Sequence, residues 1–570
     1  MRPLDWAILI LTLAGTTLYG LYKSRTRRTL DGYFLGDREM PWYLVLLSIV
    51  GTQASAITFL SAPGQAYTDG MRFVQYYFGL PIAMVVVSIG FVPLFHRLRL
   101  YTAYEYLEQR FDVPTRTLVS LLFLLSRGLS TGISVYAPSI ILSSLLGWNI
   151  YLTNIIMGGV LIIYTVTGGA KAVAHTQKLQ MIIVFTGLFL AGWMTVHMLP
   201  EGVGFADALH ISGRMGKLNV ITTGFEKGAF DWKDRYNIFS GIIGGFFLAL
   251  SYFGTDQSQV GRYLTTKTLS ESRIGLLMNG VVKVPMQFLI LLLGALVFSF
   301  YQFNSSPLFY NDVPLQKVRM SDYGDSLKGI ETAHHLLEES KKSVVSRFVK
   351  ARKAGDPLTV DLAVGQMDSL QRVEEGMRSE VRGLIVKKVS KSESNDTNYI
   401  FLHFVMDNLP VGLVGLLIAV IFLASWGSIA AALNSLASAS VVDLHLRFSK
   451  KERNDGQQYV LSRWYTFGWG VFCIVVAMFV TGMGSLIEAV NVLGSWFYGV
   501  ILGVFLVGFY RKRIGGRAVF WAALAGEAIV MGLYFMDVFG WLWLNAIGAI
   551  SVITFAEILQ LALPRPKGRG

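Results

Sequence analysis

Apolar runs of roughly 20 residues, each long enough to cross a hydrocarbon layer about 30 Å thick, recur along almost the whole chain. They lie near 5–22, 42–68, 71–96, 116–146, 150–167, 178–199, 236–256, 275–303, 404–442, 458–481, 484–509, 517–536 and 540–561. The pattern predicts thirteen transmembrane helices, called first to thirteenth spans in chain order, and so an all-α polytopic membrane protein. The first run lacks a small-residue cleavage site and is followed by Lys23, Arg25, Arg27 and Arg28, which marks a retained helix and not a removed signal peptide.

Basic residues gather in every second loop. After the first span they recur at Arg97 and Arg99, Lys171 and Lys178, then Arg262, Lys267 and Arg273. Further clusters are Arg447, Lys450, Lys451 and Arg453, then Arg511, Lys512, Arg513 and Arg517, and finally Arg565, Lys567 and Arg569. The positive-inside rule then predicts an outside N-terminus and a cytoplasmic C-terminus, in agreement with an odd number of spans. The net charge of +13 is thereby sorted by topology and does not point to nucleic acid.

Residues 304–402 break the pattern, with 15 Lys/Arg and 14 Asp/Glu in 99 positions. They follow the eighth span and read as an external insert, with helical patterning at Thr332–Ala351 and Val360–Val386. Such an insert caps a pathway, binds an external partner or is simply a tolerated loop. It carries two Asn-x-Ser/Thr sequons, at Asn304 and Asn395.

Composition agrees. The chain is 53% hydrophobic and 15% charged, against about 25% charged in soluble proteins, which excludes an ordinary soluble enzyme. Its 58 glycines suit closely packed membrane helices. The single cysteine, Cys473, lies in an apolar run; it excludes an intrachain disulfide and reads as inert packing.

Polar residues inside spans are expensive and therefore informative. The second span runs Ser48-Ile-Val-Gly51-Thr52-Gln53-Ala54-Ser55-Ala56-Ile-Thr58-Phe-Leu-Ser61-Ala-Pro63-Gly64, and Pro63-Gly64 suggests an interrupted helix whose freed carbonyls coordinate a cation. The seventh span, from Gly241 through Gly244, Gly245, Ser251, Tyr252, Gly254 and Thr255 to Asp256-Gln257, is again glycine-interrupted and polar. Two broken helices five spans apart point to an inverted repeat, with spans two to six and seven to eleven as its halves. The expected divisions are 1–40, first span and cytoplasmic loop; 41–303, first repeat and start of the second; and 304–402, the insert. The rest of the second repeat follows at 403–510, then two C-terminal helices and the tail at 511–570.

Four further stretches carry a resemblance. They are Thr102-Ala-Tyr-Glu105-Tyr106-Leu107-Glu-Gln-Arg110-Phe111, Tyr164-Thr-Val-Thr-Gly168-Gly169-Ala-Lys171-Ala172-Val173, Asp256-Gln257-Ser-Gln-Val-Gly-Arg262-Tyr263-Leu264 and Ala432-Leu433-Asn434-Ser435. In this order, and with these spans between them, they resemble the sodium:solute symporter family over about 1–303 and 403–562. The resemblance implies a LeuT-like fold of two inverted five-helix repeats. It also implies sodium-driven symport of a small solute by alternating access in a cell membrane.

In the family one sodium lies between the second and ninth spans, held by oxygen ligands as a hard cation requires. Alignment on Phe59 and on Leu433-Asn434-Ser435 implies the carbonyls of Gly51, Ala54 and Ala424 and the hydroxyl of Ser428. The second family hydroxyl falls on Gly427, leaving Ser425 or water to substitute. Members similar to sialic acid transporters bind a second sodium through serines and an aspartate, at positions that here are Ala430, Ala431 and Gln177. These lack a strong cation ligand, so one sodium is expected.

The resemblance places solute contacts at Ser55 and Thr58, with Tyr252 stacking on solute or gating the inner exit, and Gln257 following Asp256. Lys283 matches an intramembrane lysine that contacts solute in sugar-transporting members; pairing with a carboxylate and snorkelling are the other readings. Glu488 and Asn491 share one helical face where relatives place a polar ligand. Arg127 suits a solute carboxylate, and Gln75, Tyr76 and Tyr77 line the pocket from the third span.

Other classes fare worse. A solute sensor built on the same fold is the second reading, but the chain stops at Arg565-Pro-Lys-Gly-Arg-Gly, without room for a signalling domain. An intramembrane enzyme would need a His-Glu-x-x-His, Gly-x-Ser-x-Gly or phosphate-loop motif, and the sequence has none. Expected partners are thus a small solute (a sugar, a sugar acid such as sialic acid, or a monocarboxylate), sodium and membrane lipid.

Overall fold

A computed structural model describes residues 1–23, 29–226, 228–449, 451–480 and 485–563. The basic residues Arg25, Arg27, Arg28, Lys450, Arg565, Lys567 and Arg569 lie outside the described residues. Among those described, nine helices are long and apolar enough to cross a membrane, and ten with one bent pair, Trp42–Gln53 and Ala56–Asp69. Four predicted spans take other forms, two of them sharing one of the nine helices. The first is Pro3–Lys23, whose Asp5 carboxylate accepts from the backbone N–H of Gly412 and fastens it to the ninth span. The fifth and sixth together form Ile150–His197, where Gly169 is non-helical at φ 63°. A straight helix of 48 residues would be about 72 Å long, far beyond one bilayer, so this break separates two spans. The seventh is short and broken, Ser240–Gly254 followed by Gln257–Tyr263. Large side chains such as Phe189, Ile163 and Phe479 point outward, as a lipid-facing belt requires.

Helix packing follows from small residues. Gly241 and Gly245 bring the seventh span against the third so closely that a Cβ at either would lie 2.3 and 2.4 Å from the carbonyls of Gln75 and Tyr76. The Leu413–Ala439 helix, nearly all buried, is the central post against which the sixth, fourth and second spans pack.

The insert folds as an antiparallel hairpin, Gly324–Ala354 and Pro357–Lys388, turned at Gly355 with φ 70°. Both helices extend beyond the stretches read from periodicity. Lys341 donates to Glu374 at 2.5 Å, and Arg378 pairs with the fully buried Asp396 at 2.9 Å. Arg352 and Lys353 near the turn reach Asp207. Burial pushes Glu374 up, but the neighbouring His334 imidazole and the Lys341 ammonium outweigh it and hold the carboxyl at about 2. A carboxylate depressed in this way contributes stability above its ordinary range near 4.5, and loses it as pH falls through about 2. Limited proteolysis should therefore find the hairpin protected at pH 4. Lys341→Met, which leaves Glu374 buried without its ammonium, should cost about 3–5 kcal/mol at pH 7, where the carboxyl is charged, and open 304–402 to cleavage there.

Candidate functional site

The second span bends by 59°. The break falls at Ala54–Ser55 and not at Pro63-Gly64, a correction to the sequence reading: Pro63 lies within the Ala56–Asp69 helix. There its ring segment packs on Gly294 of the eighth span, where a Cβ would sit 2.1 Å from the Pro63 carbonyl. At the true break the Ser55 N–H turns to the Gln53 carbonyl at 3.1 Å, and the Thr58 N–H to the Ser55 carbonyl at 3.0 Å. In a continuous helix those donors would serve the carbonyls of Gly51 and Ala54. Both carbonyls are thus released in the membrane interior, where an unpaired acceptor costs several kcal/mol unless a cation or donor meets it.

Opposite them runs the ninth span. Ser428 donates to the Ser425 carbonyl at 3.1 Å, whereas the Ser425 hydroxyl is buried without a partner. Ala424 and Ser425 are fully buried on the same helix. From the sixth span Gln177 bridges the two sides: its amide oxygen accepts from Ser48 at 2.7 Å, and its amide nitrogen donates to Thr52 at 3.3 Å and to the Gly427 carbonyl at 3.1 Å. Ala430 and Ala431 pack with Tyr164 and Val173, and the Arg262 guanidinium donates to the Ala431 carbonyl at 3.4 Å.

Next to this junction lies a cavity of about 130 Å³. Of the residues singled out from sequence, Ser55, Thr58, Tyr76, Tyr77, Arg127, Tyr252, Lys283, Asn491 and Ser428 line it together. Ser130, Thr131, Ser134 and Tyr498 also line it and went unnoticed. The first three repeat at helical spacing from Arg127, a polar stripe in an apolar span that was there to be read. Lys283 is 1% exposed, its ammonium 5.5 Å from the Tyr77 ring centroid, with no carboxylate in ion-pair reach among the described residues. Arg127 lies over the Tyr252 ring and 3.9 Å from Asp256, whose other oxygen caps Gln257–Tyr263 through the Ser258 N–H. Tyr498 donates to Asp256 at 3.0 Å.

Three expected solute contacts lie elsewhere. Gln75 is consumed by the loop before the seventh span, donating to Thr222 and to the Tyr236 carbonyl. Gln257 points away from the cavity, accepting from the Ala103 N–H and donating to the Tyr101 carbonyl. Glu488 pairs with Arg235 at 2.5 Å and lines a separate cavity of about 630 Å³, which Arg382, Asn395 and Thr397 of the insert also line. Only one helical turn separates it from Asn491, which faces inward and accepts from Tyr76 at 3.2 Å.

Two broken helices around a buried polar cavity, with released carbonyls at one break, define a secondary transporter of the LeuT-like fold. The sodium:solute symporter family profile matches residues 33–320 and 378–526, and the chain belongs to that family. A sodium/sialic acid symporter of Proteus mirabilis is 25% identical, over 98% of this chain and 97% of that protein. The human sodium/iodide cotransporter is 30% identical over 49% of this chain and 42% of its own length. A sodium-coupled monocarboxylate transporter 1 of Xenopus laevis is 30% identical over 48% and 43%. In structure, a substrate-bound, outward-open sodium-coupled sialic acid symporter superposes with a TM-score of 0.74 over both whole chains, at 22% identity.

Removing the carboxylate of Asp256 while keeping its shape isolates the charge beneath the cavity. Asp256→Asn should destabilise the protein by about 3–5 kcal/mol, because it leaves Arg127 buried and uncompensated. The double variant Arg127→Met/Asp256→Asn should recover much of that loss in a thermal-melting cycle.

Proposed function

We propose that this multi-pass membrane protein, a sodium-coupled symporter by family, carries a small organic monoanion such as a monocarboxylate or sugar acid, with one sodium per cycle. The observation behind the solute class is the unopposed Lys283 in the cavity, where Arg127 already has Asp256 as its counter-ion. A buried cation is stable only when paired, so an entering carboxylate supplies what the empty site lacks. The hydroxyls of Ser55, Thr58, Ser130 and Thr131, with the Asn491 amide, suit hydroxyl or carbonyl groups on the rest of the solute.

Coupling follows from adjacency. The Ala54 carbonyl, on the proposed ion side, is one peptide from Ser55 on the solute side. Sodium drawn to Gly51, Ala54, Ala424 and Ser428 would fix the unwound segment in the form that holds solute, so each ligand strengthens the other. A single ion is supported by the second-ion positions, where Gln177 is committed to hydrogen bonds and the resident Arg262 cation meets the Ala431 carbonyl. The basic loops support an outside N-terminus and a cytoplasmic C-terminus, which puts the hairpin outside the cell, over the outer cavity.

Proteoliposomes with an inward sodium gradient and a panel of labelled lactate, pyruvate, sialic acid and glucose test this. The anions should accumulate only with sodium, and Ser428→Ala should raise the half-saturating sodium by roughly tenfold or more. Lys283→Met should raise the KM for the anion far more than it alters sodium dependence. Accumulation of glucose in preference to every anion would refute the monoanion reading.

A further inference from the structure

One oxygen beside the proposed ion site remains unexplained. Gln180 lies three residues beyond Gln177 on the sixth span, on the same helical face. Gln177 is fully engaged with Ser48, Thr52 and the Gly427 carbonyl. Gln180 is not: it is 1% exposed, and its Oε1 has no donor. That oxygen faces the ninth-span backbone at Gly427, so closely that a Cβ there would lie 2.5 Å from it. The amide thus fills the space that a side chain at 427 would take, which gives the glycine a physical reason. A buried amide oxygen without a donor or cation is costly, and native proteins rarely leave one.

The neighbouring groups share its character. The carbonyls of Gly51 and Ala54 have lost their helical donors, and the Ser425 hydroxyl is also buried without a partner. Ser428 contributes a further oxygen one residue from Gly427. An uncharged set of oxygen acceptors in a dry interior is the environment that a hard monovalent cation satisfies. We infer that the Gln180 Oε1 is a direct ligand of the transported sodium, taking the place that a hydroxyl at residue 427 would otherwise hold. This rests on the sodium-symport reading above.

Sodium-dependent thermal stabilisation of the purified full chain, and the half-saturating sodium for uptake, provide the readouts. Gln180→Met, which keeps volume and removes the oxygen, should raise half-saturating sodium by roughly tenfold to a hundredfold. Gln180→Glu should lower it, because a carboxylate adds charge to the same position. The decisive pair is Gln180→Ala, which weakens sodium binding, and Gln180→Ala/Gly427→Ser, which returns a hydroxyl to the vacated space and should restore it. A structural role for the amide predicts no such rescue. Unchanged sodium dependence in a monodisperse Gln180→Met protein would overturn the assignment, as would failure of Gly427→Ser to rescue. If Gln180→Met does not fold, the Gln180→Glu and rescue variants decide alone. A wild-type chain that sodium neither stabilises nor drives would instead refute the symport reading itself.

Discussion

Two backbone carbonyls without donors in a membrane interior are the constraint around which this protein is organised. An intact helix pairs every backbone group internally, and that is why helices span bilayers. The second span gives this up at Ala54–Ser55, and only a surrounding protein shell makes the exchange tolerable. The shell is visibly specialised. The ninth span has a glycine at 427, the sixth contributes Gln177 as a neutral strut to both sides, and neighbouring helices approach through glycine-to-backbone contacts. The break also turns Ser55 and Thr58 into a cavity that a straight helix would have closed.

Charge is distributed to match. The junction with the released carbonyls presents oxygen dipoles, with no acidic side chain among the described residues there, so an ion entering it would keep its own charge. The adjacent cavity holds Arg127 beside the Asp256 carboxylate, and Lys283 with no carboxylate in ion-pair reach among the described residues. A cation beside one unpaired cation would be repelled, at an effective dielectric of about 20, by a few kcal/mol at short range. An anion between them reverses the sign. Under the proposed reading, simultaneous occupancy by sodium and an anion is thereby favoured over either ligand alone, an electrostatic coupling in addition to the shared backbone hinge.

The spans, the hairpin and the two breaks were legible in sequence because each leaves a one-dimensional mark: apolar length, charge density, or glycine and hydroxyls within a run. The register of the first break was not. Pro63 is the conspicuous helix breaker, yet it sits within a helix, whereas the unwinding occurs at Ala54–Ser55, between residues of no special reputation. What decides it is tertiary, since the released carbonyls need partners that other spans supply. Gln75, Gln257 and Glu488 lie outside the cavity for a related reason: polarity in or near a span marks a residue that needs partners, without saying whether these are solute or loop backbone. The Ser130, Thr131 and Ser134 stripe shows the converse, a periodic signal that was present and unread.

The insert shows how an added element can bear on the break from a distance. The family profile leaves residues 321–377 unmatched, most of the hairpin, while the matched part resumes with Arg378 and includes Asp396 and Asn398. Asp396 joins Arg378 and Arg382 to the Tyr310 backbone, and the Tyr310 hydroxyl meets Tyr67 on the Ala56–Asp69 arm of the broken span. Asn398 accepts from Ser61 on that same arm and from the Leu486 N–H at the start of the eleventh span. Any tilt of the Ala56–Asp69 arm must therefore carry this hub along or break buried hydrogen bonds. The hairpin, itself tied to Asp207 and through Glu338 to Ser306, enlarges the body that must move. On the proposed reading its consequence for transport is energetic, bearing on the equilibrium between conformations, while the chemistry of ion and solute stays at the break.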